Sequence, residues 1–289
     1  MRWPTLKTYD RVDPRAPGSG GGDFDKSYLG IRFVIGTIGL SLPLALVVID
    51  ALFLEATADI RGSMSAYYHS PARDVFVGGL VAVGVVLISY LWWRWDTWDF
   101  GLSVIAGLGA IGVAAFPTGR SGVDTSPTSC AEQQADGTPS CVALQELWGE
   151  HRVESLHLVS AAVVVASFAA LCLVFALRDF GYGVAAHEVA SQDADRLGVR
   201  NMWRHAVTSG VLTHLRRVPR TVLYALCFVG VVLGALWAVT GPDWPAPRTY
   251  VGEFIAFSFF GFAWMVASWD LLRRISWVHG LERRMTRAE

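Results

Sequence analysis

The chain has 289 residues, 53% hydrophobic and 17% charged, with a formal net charge of −1 and a mean hydropathy of +0.39. Soluble domains of this length are markedly more polar, so the composition points to a membrane protein. Near-neutral charge without a single basic tract gives no basis for nucleic-acid binding.

Residues 1–28 hold no apolar core and no small-residue cleavage site, and so read as a flexible cytosolic tail instead of a signal peptide. Six stretches then follow that meet the requirement of about 20 apolar residues at 1.5 Å each. They are residues 29–54, 74–93, 98–117, 155–177, 221–240 and 250–272. The first contains Pro43, which a membrane helix tolerates when neighbours satisfy the freed carbonyl. The second and third are joined by the tight turn RWDT, and Trp92, Trp93, Trp95 and Trp98 around it form an interfacial aromatic belt. In the third, Gly101, Gly109 and Gly112 make a small-residue face suited to helix packing. The fold class predicted is therefore all-α, a polytopic membrane protein with six transmembrane helices. Residues 29–177 carry spans one to four with a loop at 118–154, residues 178–220 form a long connection, and residues 221–289 carry the last two spans and a basic C-terminus.

Orientation follows from the basic residues. Nineteen Lys and Arg fall in the tail, the RWDT turn, the 178–220 connection and the C-terminal end, including Arg32 just inside the first span, against five in the other three loops. The positive-inside rule then places both termini and the 178–220 connection in the cytosol, and residues 55–73, 118–154 and 241–249 outside. Cys130 and Cys141 share the outer loop TSCAEQQADGTPSC, on the oxidising side, where a disulfide is expected. Cys172 and Cys227 lie in spans and read as small buried apolar residues. The stretch GVRNMWRHAVTSGVLTHLRRVPR has two readings: a helix lying on the inner leaflet through Val199, Met202, Trp203, Ala206 and Leu215, or an ordinary basic loop that is helical. Arginine supplies 22 of the 24 basic residues, a composition suggestive of a GC-rich bacterial genome and hence of a bacterial inner membrane.

The outer side also concentrates the candidate functional residues. The segment SMSAYYHSPARD, residues 63–74, precedes the second span. Ser70 and Pro71 suit a helix start, with Asp74 in the first turns where the dipole favours an anion. Tyr67 and Tyr68 then read as interfacial anchors, leaving Ser65 and His69, four apart, on one face if the segment is helical. In QELWGEHRVESLHLVSAA, Glu146, Glu150, Glu154 and His157 recur at intervals of four, four and three, which predicts one acidic helical face ending in a histidine inside the span. Asp50 and Glu253 fall at a similar depth. Ionisable groups in a span favour an interior cavity or a partner. His69, His157 and Asp74 are accordingly candidate ligands for zinc or another divalent metal, with Ser65, Tyr68, Glu154 and Glu253 as candidate pocket residues.

The pattern Ser65-x3-His69 followed by Asp74 resembles the Ser, His and Asp pattern of the membrane hydrolase superfamily that includes alkaline ceramidases and adiponectin-receptor-like proteins. That resemblance implies a zinc-activated water near one membrane face and cleavage of amide bonds in lipids. Seven helices and a late His-x3-His pair complete the family's pattern; this chain shows six predicted spans and no such pair, so only Ser65, His69 and Asp74 carry over. The chain also resembles bacterial six-span membrane proteins of unknown function that share the YY-containing segment ending in RD, AIGVAAFPT in the third span and HLVSAA in the fourth.

No complete catalytic constellation is visible, so the favoured expectation is an outward-facing polar pocket in a non-catalytic accessory, sensing or ligand-binding module. The alternative is a metal-dependent hydrolase acting on a lipid or other amphiphile. Expected partners are membrane lipid, an amphiphilic small molecule and another membrane protein, and not nucleic acid. The orientation is open to a direct measurement. A reporter fused after Glu289 is expected to be active in the cytosol, and a cysteine placed at Ser191 to resist an impermeant thiol reagent in intact cells. Reporter activity confined to the outside overturns the assignment.

Overall fold

The computed structural model describes residues 21–53, 60–89, 98–120, 141–197, 212–243 and 246–285. Among these, every regular element is helical: α1 (Gly21–Phe53), a 3-10 turn (Ser65–His69), α2 (Arg73–Ser89), α3 (Trp98–Ala115), α4 (Ala143–Trp148), α5 (Glu150–Leu197), α6 (Leu212–Thr240) and α7 (Arg248–Met285). Five described segments are long and apolar enough to cross a membrane, with mean hydropathies of 1.5 to 2.7: Gly30–Phe53, Trp98–Ala115, Glu150–Leu177, Arg220–Thr240 and Arg248–Ser268. The described part of α2 has 17 residues and stops where residues 90–97 leave the description.

Several boundaries differ from the sequence expectation. α1 begins at Gly21, within the expected tail, and α5 continues to Leu197 while α6 starts at Leu212, so much of the 178–220 connection is helix. Most of the stretch with two readings, residues 198–211, lies outside the described residues, as does Cys130. The acidic face is also interrupted. Gly149 adopts φ 85°, a conformation costly for any residue with a Cβ, and its N–H caps Gln145 O at 2.9 Å. Glu146 therefore belongs to α4, while Glu150, Glu154 and His157 open α5.

The long helices form a closed ring in chain order. α1 packs on α2, α2 on α3, α3 on α5, α5 on α6, α6 on α7, and α7 returns to α1. Successive members run in opposite directions, as hydrogen bonds at the two ends show. At one end Asp50, at the end of α1, meets Arg61, and Glu253, early in α7, meets Met64; at the other Arg32, early in α1, donates to Ala267 O of α7 at 3.2 Å. Asp179 of α5 and Thr221 of α6 are joined at 2.7 Å at that second end.

Lipid is as apolar as leucine, so apposed membrane helices gain little from hydrophobicity and hold together through close packing. Small residues provide it here. An added Cβ at Gly107 would sit 2.6 Å from Gly84 O, joining α3 to α2, and one at Gly252 would run into Gly234 O, joining α7 to α6. Gly39 and Gly261 make the equivalent approach between α1 and α7. Gly109 and Gly112 face Ser160 of α5 as the small-residue face predicted, whereas Gly101 has nothing within 4 Å. Inside the ring, Phe175 makes edge contacts with Tyr224 and Trp264, and Phe168 stacks on Phe260. Arg32 lies over Phe175 and Trp264 at 5.9 and 5.8 Å, so a cation inside the first span is held by aromatic faces and a carbonyl. Cys172 and Cys227 are buried free thiols, in keeping with an apolar packing role.

Overpacking such a seam typically costs about 1–3 kcal/mol. Gly252→Ala is therefore expected to lower the unfolding midpoint in detergent micelles clearly. Gly78→Ala, at an exposed α2 position with no neighbour within 4 Å, is expected to be neutral or stabilising by up to ~1 kcal/mol, because alanine is the better helix former. Equal midpoints for the two variants would contradict the seam.

Candidate functional site

The polar groups singled out in the sequence gather at the end of the bundle formed by the 3-10 turn and the starts of α2, α5 and α7. The turn is shaped locally. Ser63 Oγ accepts the Ala66 N–H at 3.0 Å and lies 2.9 Å from Ser65 Oγ. Ser70 is extended, as a residue before proline should be, and its Oγ accepts the Ala72 N–H at 3.1 Å while donating to Tyr67 O at 2.9 Å. The serine cap is thus formed, but the helical-face expectation for Ser65 and His69 fails. A 3-10 turn eclipses residues three apart, so residues four apart diverge by about 120°. Ser65 stays with Ser63, and His69 reaches elsewhere.

Its target is the segment 116–120, which leaves α3 as a strap across this end. His69 Nε2 donates to Thr118 O at 2.9 Å, and Gln145 Nε2 donates to the same oxygen at 3.1 Å. His157 Nδ1 donates to Phe116 O at 2.6 Å. A carbonyl only accepts, so both rings carry their proton on the named nitrogen. Two carbonyls two residues apart are within about 7 Å of one another, which brings the two histidines to one short stretch of backbone. The Glu154 carboxylate rests against Gly119, where a Cβ would come within 2.8 Å of Oε1. Arg120 ends the strap. Its backbone N–H reaches Glu150 Oε1 at 2.8 Å and its guanidinium Nη2 reaches Oε2 at 3.0 Å, with both side chains buried.

The remaining candidates lie to either side. Glu253 Oε2 accepts the Met64 N–H, tying α7 to the turn. Asp50 accepts two hydrogen bonds from Arg61 at 2.8 and 3.2 Å, and Arg61 N–H meets Tyr67 Oη at 3.4 Å. Tyr67 and Tyr68 are 1% and 5% exposed, which corrects their reading as interfacial anchors: both rings belong to the core. Tyr250 Oη donates to Pro43 O at 2.9 Å, so the outside donor reaches the proline's own carbonyl, one turn beyond the carbonyl of Gly39 that the ring leaves free. Asp74 is exposed at the start of α2, consistent with its role at the helix dipole.

Among the described residues, no group of three or more His, Cys, Asp or Glu side chains is arranged to hold a metal ion. The geometry does define an open cleft of about 530 Å³, walled on one side by Tyr68, His69, Ser70, Pro71 and Arg73 and on the other by Cys141, Val142 and Ala143. The walls are braced through one atom, since Thr118 O binds His69 from the first and Gln145 from behind the second. Gln145 also closes back on Val142 N at 3.2 Å. The residues that organise this end and were not singled out in the sequence are Arg61, Arg73, Thr118, Arg120 and Gln145. Arg120 had a visible signal, as an isolated cation at the start of an outer loop that ends in an acidic helix start; Gln145 had none.

No protein-family profile, curated protein or solved structure matches the chain.

Burial is the main influence on His69 and pushes its pKa below the ordinary 6.5, against the raising effects of the Thr118 bond and nearby Glu150. The unfolded chain therefore binds a proton more readily than the folded one. The neutral ring's contribution to stability is present above about pH 6.5 and is lost as pH falls below it. His69→Gln keeps a neutral donor for Thr118. Its melting temperature is expected to fall less than that of the unaltered protein between pH 7.5 and pH 5, measured in the same detergent; parallel decline in the two proteins would contradict a buried neutral His69.

Proposed function

We propose that this protein is a multi-pass membrane protein of six spans whose outward end carries a non-catalytic ligand-binding cleft. The observation that carries the reading is the cleft between the start of α2 and residues 141–143, opening beside a polar layer whose side chains already have partners. His69, His157, Glu150 and Glu253 bind backbone or an arginine. Arg73 is different: it faces the cleft without a carboxylate partner among the described residues.

Six spans are supported by the length of α2. Its 17 described residues cover about 26 Å at 1.5 Å per residue, and apolar sequence continues to residue 93. The alternation of helix direction around the ring supports placing both termini on one side, and the basic residues assign that side to the cytosol. The cleft then faces outward, in a compartment where a Cys130–Cys141 bridge would persist beside it.

Filling the cleft tests this function. Ala143 is exposed on the cleft wall, so Ala143→Trp should leave the bundle folded while occupying the space. Native mass spectrometry of protein extracted from membranes is expected to show a bound amphiphile whose occupancy drops about tenfold in the variant, equivalent to ~1.4 kcal/mol. Undiminished occupancy in a variant of unchanged melting temperature overturns the cleft as the binding site.

A further inference from the structure

Five arginines lie at the outer loops and helix starts: 61, 73, 120, 152 and 248. Arg61 pairs with Asp50, Arg120 with Glu150 and Arg248 with Asp243. Arg73 pairs with no carboxylate among the described residues, yet its side chain is held in place. Its guanidinium carbon sits 4.7 Å from the centre of the Tyr68 ring, and Nη2 donates to Tyr68 Oη at 3.3 Å. Tyr68 is itself fixed, buried and in edge contact with Phe76 and His69. An arginine oriented by an aromatic face retains most of its five N–H donors and has already given up part of its rotamer freedom. The other polar groups of that wall, His69 and Ser70, have already given their hydrogens to Thr118 O and Tyr67 O, so the charged donor facing the cleft is Arg73. Asp74 is the nearest carboxylate in sequence, but it lies about 100° around the helix and makes no ion pair with Arg73.

The opposite wall supplies the second observation. α4 begins at Ala143, just after Val142, and its Leu147 and Trp148 are 78% and 50% exposed. A tryptophan and a leucine presented outward beside polar loops belong at the membrane interface, the layer that contains lipid phosphates. The cleft mouth is thereby set at headgroup depth, with an oriented guanidinium in one wall.

We propose that this cleft binds a phosphate group, with Arg73 presenting its planar donors to the phosphate oxygens. This rests on the cleft being the ligand site, and names what it selects. The phosphate comes either from a phospholipid headgroup or from a soluble phosphate, since the guanidinium recognises the same oxygens in both.

The full-length protein in neutral detergent is titrated with phosphatidylglycerol, with a neutral galactosyl diacylglycerol, and with inorganic phosphate. Bound mass and melting temperature are read for the unaltered protein, Arg73→Gln, Arg152→Gln and Ala143→Trp. Arg152 is exposed near the start of α5 and does not line the cleft, so its variant reports loose attraction of anions to this end. Phosphatidylglycerol is expected to bind and to lose about tenfold in apparent affinity in Arg73→Gln and Ala143→Trp, with no change in Arg152→Gln. Stabilisation by inorganic phosphate alone that disappears in Arg73→Gln assigns the soluble source. Equal binding of the neutral galactolipid, or equal losses in Arg73→Gln and Arg152→Gln, overturns phosphate selection. If Ala143→Trp still blocks every amphiphile in that case, the cleft stands and only the ligand class is wrong. If neither Arg73→Gln nor Ala143→Trp changes any binding, cleft and ligand class fail together.

Discussion

The constraint on which this end of the molecule depends is the hydrogen bonding of one short strap. Residues 116–120 leave α3 through Pro117, which cannot continue the helical ladder, so their carbonyls face a largely apolar bundle without helical partners. An unpaired buried peptide group costs on the order of 1–3 kcal/mol. His157 and His69 meet Phe116 and Thr118, Gln145 shares the second carbonyl, and Arg120 closes onto Glu150. Three parts of the chain distant in sequence, the turn at His69, the strap itself and residues 145–157, are thus fixed by one need. The cleft is a by-product of this bracing: its two walls keep their separation because they are tied to the same oxygen.

The buried Arg120–Glu150 pair belongs to the same logic. Such a pair adds little over an apolar replacement, but loss of one partner leaves a buried charge, which typically costs about 3–5 kcal/mol. Here the carboxylate also receives a backbone N–H of the strap. The pair therefore specifies where the chain crosses the bundle end more than it stabilises the bundle. Arg61 with Asp50 plays a similar part next to Tyr67, at lower burial.

Much of the architecture was legible because membrane helices obey few rules: length, apolarity and loop charge. Burial in a span singled out His157, and shared depth singled out Asp50, His69 and Glu253, all of which the structure gathers at one end. What those residues do there was not legible. Their partners are mostly main-chain atoms, and a carbonyl needing a donor leaves no mark in residue type. Gly149 was decisive for the acidic series, since a positive φ at that one position separated Glu146 from Glu150. Likewise Ser65 and His69 were spaced for an α-helix, and the serines at 63 and 70 produced a 3-10 turn instead. Arg73 stood in view within the quoted segment, but whether a described carboxylate reaches it is a property of three dimensions.

The closed ring has a consequence for how the protein is made. Gly36 and Gly39 of α1 wait for Gly261 of α7, and the carbonyl of Pro43 waits for Tyr250, more than two hundred residues later in the chain. During synthesis the first helix enters the bilayer with its most closely packed face unoccupied, and it stays so until the last helix is delivered. The intervening spans can pair in order as they emerge, each beside its predecessor. The α1–α7 seam is the final step of assembly, and until it forms the small-residue face of α1 is open to any other helix nearby.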